Sequence, residues 1–369
     1  MRKLFLSALL LAAALPAGAA VRFADWSADN IGELLAGTAS ADSFVMVVIT
    51  QPDWCPNCIR LDNRLLRNPE ATAIAELTAD WTVLEVLGYD EPDATFLADQ
   101  GLGFLGTPTT LLLKPAEGDA RLGDARQVAA IVGLPDDYLE QLSRASAGYD
   151  AIAEAQARFR ESNDAESMRA LADAYLMAGD ADAARRVFQS LLLRETLAPE
   201  ERREIALQAI TGPTQRIEND YERALRELDA WASAFPEGAE TVAFKYARAW
   251  SLLSLGRADA GRAFAAENFL GSDDPDMVAS YLYLAFRDPT GVLLDDAEGR
   301  ARTAIERFPE QAARFQSAHG RLLRRQGRLA EAEHAFSRAL ALAAEDDPSR
   351  DTYAGQLAFV QRERAGRAD

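Results

Sequence analysis

The two cysteines of the chain stand at Cys55 and Cys58, inside the run Trp54-Cys55-Pro56-Asn57-Cys58. Two thiols separated by two residues, at the expected start of a helix, form a unit that can open and close a disulfide. A structural staple is the weaker reading, because closing so short a loop removes little entropy from the unfolded chain. Structural zinc takes about four ligands, and only His319 and His334, far along the chain, could join the cysteines. Copper handling by two thiolates is disfavoured by the 5 methionines and the lack of a nearby histidine. Redox chemistry is the expectation that remains.

That chemistry assigns different roles to the two sulfurs. Cys55 is placed in the first turn, where unpaired backbone N–H groups and the helix dipole favour an anion. A thiolate there attacks, and Cys58, one turn on, resolves the mixed disulfide. Pro56 suits the start of a helix because its missing N–H would be unpaired there in any case. Asn57 brings no positive charge, and Asp53 would oppose a thiolate if it lay close. Strong oxidants stabilise their reduced form. The sequence offers no evident source of such stabilisation, so a reductase or isomerase poise is expected.

The elements that must position this pair can be read around it. Ser43 to Thr50 is an apolar run of strand length without polar alternation, as expected of a strand buried on both faces. The pattern turns helical from Cys55, breaks at Asn68-Pro69, and resumes over Ala71 to Leu77. Trp81 to Leu87 predicts a second strand, Asp93 to Gln100 a short helix closed by Gly101, and Thr109 to Lys114 a third strand. Val128 to Val132 predicts a fourth strand and Pro135 to Arg144 a closing helix, with Asp136 and Asp137 at its positive end.

Residues 23–145 resemble the thioredoxin family in this order of elements, in the Trp before the first Cys, in Pro56, and in Gly106-Thr107-Pro108-Thr109 leading into the third strand. The closing Gly133 to Leu142 segment matches too. Within the family the chain is most similar to the periplasmic electron-relay type (DsbD C-terminal-domain or TlpA-like); the DsbD C-terminal domain too has an Asp-Trp-Cys-x-x-Cys helix followed by an Asn/Asp-Pro-Glu break. The resemblance implies a cis peptide bond at Thr107-Pro108, facing the cysteines, and a Thr107 backbone that pairs with an extended client peptide. It implies that Trp54 covers one side of the disulfide, and that no dissociable cofactor or metal is needed. One departure stands out. The buried acid that thioredoxins carry six positions before the first Cys is here Ile49. Asp62, four residues after Cys58 and so on its helix face, is the candidate substitute for proton transfer. A solvated Asp62 is the equal alternative, and Glu85 a second option.

Met1-Arg2-Lys3, the apolar run Leu4 to Leu15 and the small residues through Ala20 predict a cleaved export signal over residues 1–20. Such export, with arginine far outnumbering lysine, leads to the expectation of a periplasmic protein in an oxidising compartment. The formal net charge is −19, and loss of Arg2 and Lys3 would take it to −21. Residues 21–147 carry 20 acidic and 8 basic side chains, the rest of the mature chain 38 and 29. Both parts are acidic, which disfavours nucleic-acid binding.

From about Tyr149 the strand signals end. Turn glycines Gly179, Gly256 and Gly327 recur 77 and 71 residues apart, near twice the roughly 34-residue tetratricopeptide period. Phe235-Pro236-Glu237 and Phe308-Pro309-Glu310 end two further helices. Thr211-Gly212-Pro213 and Asp288-Pro289-Thr290-Gly291 are expected breaks. Residues 150–365 resemble divergent tetratricopeptide repeats, which implies an all-α helical solenoid suited to protein contacts. His319 and His334 are expected to be structural. The chain thus divides into a signal (1–20), an α/β thioredoxin-like domain (21–147) and a helical-repeat domain (148–369). The expected activity is thiol–disulfide exchange on protein clients, with the repeats recruiting a protein partner and a membrane electron donor conceivable. The alternative is an interaction scaffold whose thioredoxin module turns over little.

Overall fold

A computed structural model describes residues 20–51, 55–88, 92–104, 106–148, 151–270 and 272–366. The expected export signal therefore lies almost wholly outside the described residues, as do Asp53, Trp54 and Tyr149. Among the described residues no helix is long and apolar enough to cross a membrane.

The first part is a four-stranded mixed sheet flanked by helices. It runs α1 (Ile31–Ser40), β1 (Val45–Thr50), α2 (Pro56–Leu61), α3 (Thr72–Leu77), β2 (Thr82–Leu87), α4 (Asp93–Asp99), β3 (Thr109–Lys114), β4 (Arg126–Val132) and α5 (Tyr138–Ser146). The strand order is β2-β1-β3-β4, with β1 parallel to β2 and antiparallel to β3, and β3 antiparallel to β4. Every residue of β1 is buried, as its unbroken apolar run requires of a strand covered on both faces. Met46 and Val48 pack with Leu61, Leu66 and Leu142 on one side, Val47 and Ile49 with Leu35, Phe96 and Leu97 on the other. Each such side chain contributes about 1.5–3 kcal/mol through burial. Before β1, Phe23 makes a single parallel bridge to Val83.

The strands fall on their predicted apolar runs, with β1 starting two residues late, β2 one residue late and β4 two residues early. Helix α1 had no counterpart in the sequence reading, since its two glycines and small residues blur the helical period. Helix α5 begins at Tyr138 rather than Pro135, because Pro135 to Asp137 form the turn that enters it.

After β4 and α5 the described chain is helical. It comprises α6 (Ala151–Ser162), α7 (Ala165–Met177), α8 (Ala181–Leu192), α9 (Pro199–Ile210), α10 (Tyr221–Ala234), α11 (Val242–Ser254), α12 (Ala258–Ala265), α13 (Pro275–Arg287), α14 (Leu294–Arg307), α15 (Ala312–Arg325), α16 (Leu329–Leu342) and α17 (Arg350–Gly366). Sequence neighbours pack on one another, most extensively α7 with α8, α14 with α15, α15 with α16, and α16 with α17. The turns between α7 and α8, α11 and α12, and α15 and α16 place Gly179, Gly256 and Gly327 at φ of 74°, 69° and 77°, a region only glycine enters at little cost. Asp164, Asp180 and Asp220 cap α7, α8 and α10 by accepting backbone N–H bonds at 2.7–2.9 Å. Phe235-Pro236 and Phe308-Pro309 do end α10 and α14.

One expected break is not one. Thr211-Gly212-Pro213 opens a wide helical turn, Thr211–Ile217, that continues α9. Pro213 lacks the N–H that an ordinary helical turn would use, and its carbonyl accepts from Glu218, five residues on, at 3.0 Å. The other break, at Asp288 to Gly291, stands between α13 and α14. The buried Asp288 carboxylate accepts from Thr290 and Leu293 N–H at 2.8 and 3.1 Å.

Candidate functional site

Sheet register explains how residues distant in sequence meet. Ile49, next to last in β1, pairs with Thr109, the first residue of β3. The segment leaving β1 toward Cys55 and the segment entering β3 through Thr107 therefore emerge at the same end of the sheet. Cys55 caps α2, Pro56 occupies its first position, and the helix continues as a wider turn through Leu66.

Cys55 and Cys58 form a disulfide. The Cys55 sulfur accepts the Cys58 N–H at 3.1 Å, and the Cys58 sulfur accepts the Gln51 N–H at 3.4 Å. Each sulfur thus has a backbone donor aimed at it. Cys55 Sγ lies 3.2 Å from the carbonyl oxygen of Thr107. The Thr107–Pro108 peptide bond is cis, the isomer expected from the resemblance. Pro108 is held in turn by its carbonyl, which accepts the Gly133 N–H at 2.8 Å. The Thr107 hydroxyl is buried without a hydrogen-bond partner.

Both sulfurs are covered, where the sequence pointed to shielding of the resolving Cys58 alone. Cys55 is 2% exposed and Cys58 1%. Both belong to an apolar cluster that includes Ala249 and Leu253 of α11, Met277 and Tyr281 of α13, and Phe315 of α15. The Thr107 backbone that the resemblance assigns to a client peptide therefore stands, in this state, beside a sulfur closed off from solvent.

Asp62 ends α2, and its carboxylate faces Arg67, whose Nε is 2.7 Å from Oδ1. The Asp62 side chain is 20% exposed, so it is not freely solvated. Arg67 also pairs with Glu85 on β2 and lies over the Phe23 ring at 4.8 Å. Burial raises the pKa of both carboxyls, with Arg67 opposing the shift in each case. The two candidate proton carriers are therefore one cluster sharing a guanidinium, a link the sequence spacing could not reveal. Ile49 is fully buried toward α1 and α4.

His319 packs near Glu298, Nε2 to Oε1 3.8 Å, with its pKa lowered by burial, and His334 is exposed on α16. Among the described residues no group of three or more His, Cys, Asp or Glu is placed to hold a metal ion. Asn57 and Arg60, which hydrogen-bond to one another beside the disulfide, were not singled out as a pair in the sequence. No protein-family model matches the chain, and no curated protein matches it either.

Proposed function

We propose that this chain is a thiol–disulfide oxidoreductase of thioredoxin-like fold, joined to tetratricopeptide-like repeats and working in the periplasm after removal of an export signal. The observation that carries the reading is the Cys55 sulfur at the head of α2, bonded to Cys58 and 3.2 Å from the Thr107 carbonyl oxygen. In the reduced protein the Cys55 thiolate attacks a client disulfide. One client sulfur leaves as a thiolate and takes a proton, and a mixed disulfide joins Cys55 to the other. Cys58, as thiolate, then attacks Cys55 Sγ, closing the internal disulfide and releasing the second client thiol. The client gains two electrons and the pair loses two, which an external dithiol donor must return. Thr107 and Pro108 line the approach to Cys55, and Trp54 is proposed to flank it. Asp62 lies one turn beyond Cys58 and serves as proton carrier in this scheme. The helical repeats supply a surface for a protein partner.

Insulin reduction driven by dithiothreitol tests the reading. Wild type should accelerate precipitation of the insulin B chain, and Cys55→Ser should fall to the uncatalysed rate. Equal rates in the two would remove the activity.

A second reading has one observation in its favour. A disulfide only 1–2% exposed also suits a protein in which the sheet unit is an inert anchor and the helices are a scaffold. Retention of partner binding by Cys55→Ser, with no exchange activity in wild type, would select it.

A further inference from the structure

We infer that the helical array is a cover for the Cys55–Cys58 disulfide, held shut where α17 lies on α2, and that this seam parts before a client's sulfur reaches Cys55. The inference rests on the exchange activity proposed above only for its purpose. The cover itself is a claim about access and can be tested without turnover.

The array meets the sheet unit at both of its ends. At the near end, Gln127 of β4 donates to the Met177 carbonyl at the end of α7 at 2.9 Å, and Arg144 of α5 pairs with Glu154 of α6 at 3.4 Å. At the far end α17 packs on α2, the helix that carries both cysteines. Between them α11, α13 and α15 supply the apolar cluster that takes in the two sulfurs. The chain thus leaves the sheet unit at β4 and α5, travels through the helices and returns to the disulfide helix from another side.

The two sides of α17 are not equally fixed. Toward the array, Val360 joins Leu323, Leu329 and Phe336 in a buried cluster, the Ser317 hydroxyl donates to Gln356 at 2.7 Å inside the core, and Arg324 pairs with Glu363 at 2.6 Å. Toward α2 the contact is a close approach of backbone, since a methyl group on Gly355 would overlap the Ile59 side chain. Beside it, Arg64 pairs with Asp351 at 3.2 Å with both side chains more than 60% exposed. An exposed pair adds little, so this face rests mainly on the buried Ile59, whereas the other face buries several side chains together. The weaker face is the one against the redox helix. Opening there moves α17 with the array, draws α11, α13 and α15 off the two sulfurs and uncovers α2, without unfolding either part.

The experiment is the rate of disulfide reduction by dithiothreitol in the full chain, followed by quenched thiol counting. Wild type should be reduced far more slowly than the same chain in urea. Asp351→Arg sets two guanidinium groups against each other and should raise the native rate several-fold. The swap Arg64→Asp with Asp351→Arg should bring it back. Gly355→Leu, a wedge against Ile59, should raise it tenfold or more. A wild-type rate equal to that in urea overturns the inference. So do wild-type rates in both Asp351→Arg and Gly355→Leu. Arg64 and Asp351 are surface residues, so far-UV circular dichroism should be unchanged in those variants even if Gly355→Leu disturbs folding. Insulin turnover in the same samples separates the two claims: faster reduction without turnover retains the cover and rejects the oxidoreductase.

Discussion

Arg67 holds Asp62 by an ion pair of 2.7 Å and at the same time pairs with Glu85 across from α2 on β2. One guanidinium therefore serves two carboxylates whose burial makes ionisation costly. Desolvation is the largest influence on each and raises both pKa values, and Arg67 reduces but does not cancel the shift.

The pH dependence follows from that sign. A carboxyl whose folded pKa lies above its unfolded value binds more protons when folded, so its contribution to stability falls as pH rises through the interval between the two. For Asp62 that interval starts at 3.8 and for Glu85 at 4.5. Asp62→Asn and Glu85→Gln remove the titrating group, so each should gain stability relative to wild type as pH rises from acid to neutral. Urea midpoints of wild type and variant across that range check it. A difference that does not change with pH, or that moves the other way, rejects the arrangement.

Thr107 gives a separation of backbone from side chain. Its carbonyl stands 3.2 Å from Cys55 Sγ, while its hydroxyl is buried with no partner. Burying an unpaired hydroxyl costs roughly 1–3 kcal/mol by mutational measures. Thr107→Val keeps the β-branched shape and the carbonyl, so it should leave stability unchanged or raise it by about 1 kcal/mol. Turnover should stay near wild type. A loss of more than about 1 kcal/mol in urea unfolding would mean that the hydroxyl does have a partner.

How far the sequence reached depends on what each feature needs. The strands were legible because burial on both faces leaves an unbroken apolar run, as in Val45 to Thr50. The pairing of Cys55 with Cys58 was legible because the spacing is local. The helical turns at Gly179, Gly256 and Gly327 were legible because a positive φ selects glycine. What joins distant segments was not. Nothing in Gly355 or Asp351 announces that they will lie on Ile59 and Arg64, so the covering of the disulfide was missed. Arg67 between Asp62 and Glu85 was missed for the same reason: the pair depends on the register of β2 against the helix that follows Cys58.

Cys58→Ala should separate attack from resolution. Without the second thiol a mixed disulfide on Cys55 has no internal route to release, so adducts should accumulate and be freed by dithiothreitol. Mass spectrometry of the released proteins identifies clients. Cys55→Ser placed on top of Cys58→Ala should capture none. If that double variant yields the same proteins, they are held by other contacts and the assignment of Cys55 as attacking sulfur fails.

Two glycines in the array probe how tightly its helices pack. In α15 a methyl group on Gly320 would stand 2.7 Å from the Phe336 ring of α16, too close for either to keep its place. In α14 a methyl group on Gly299 would meet nothing within 4 Å. Alanine is favoured over glycine inside a helix by about 1 kcal/mol, and an overpacked methyl costs about 1–3 kcal/mol. Gly299→Ala should therefore gain about 0.5–1 kcal/mol. Gly320→Ala should lose up to about 2 kcal/mol, the overpacking less the propensity. The two substitutions are chemically identical, so helix propensity cancels between them and the difference in urea midpoint reports the seam between α15 and α16 alone. Equal gains at both sites would mean that Phe336 can turn aside and that the seam between α15 and α16 is loosely held.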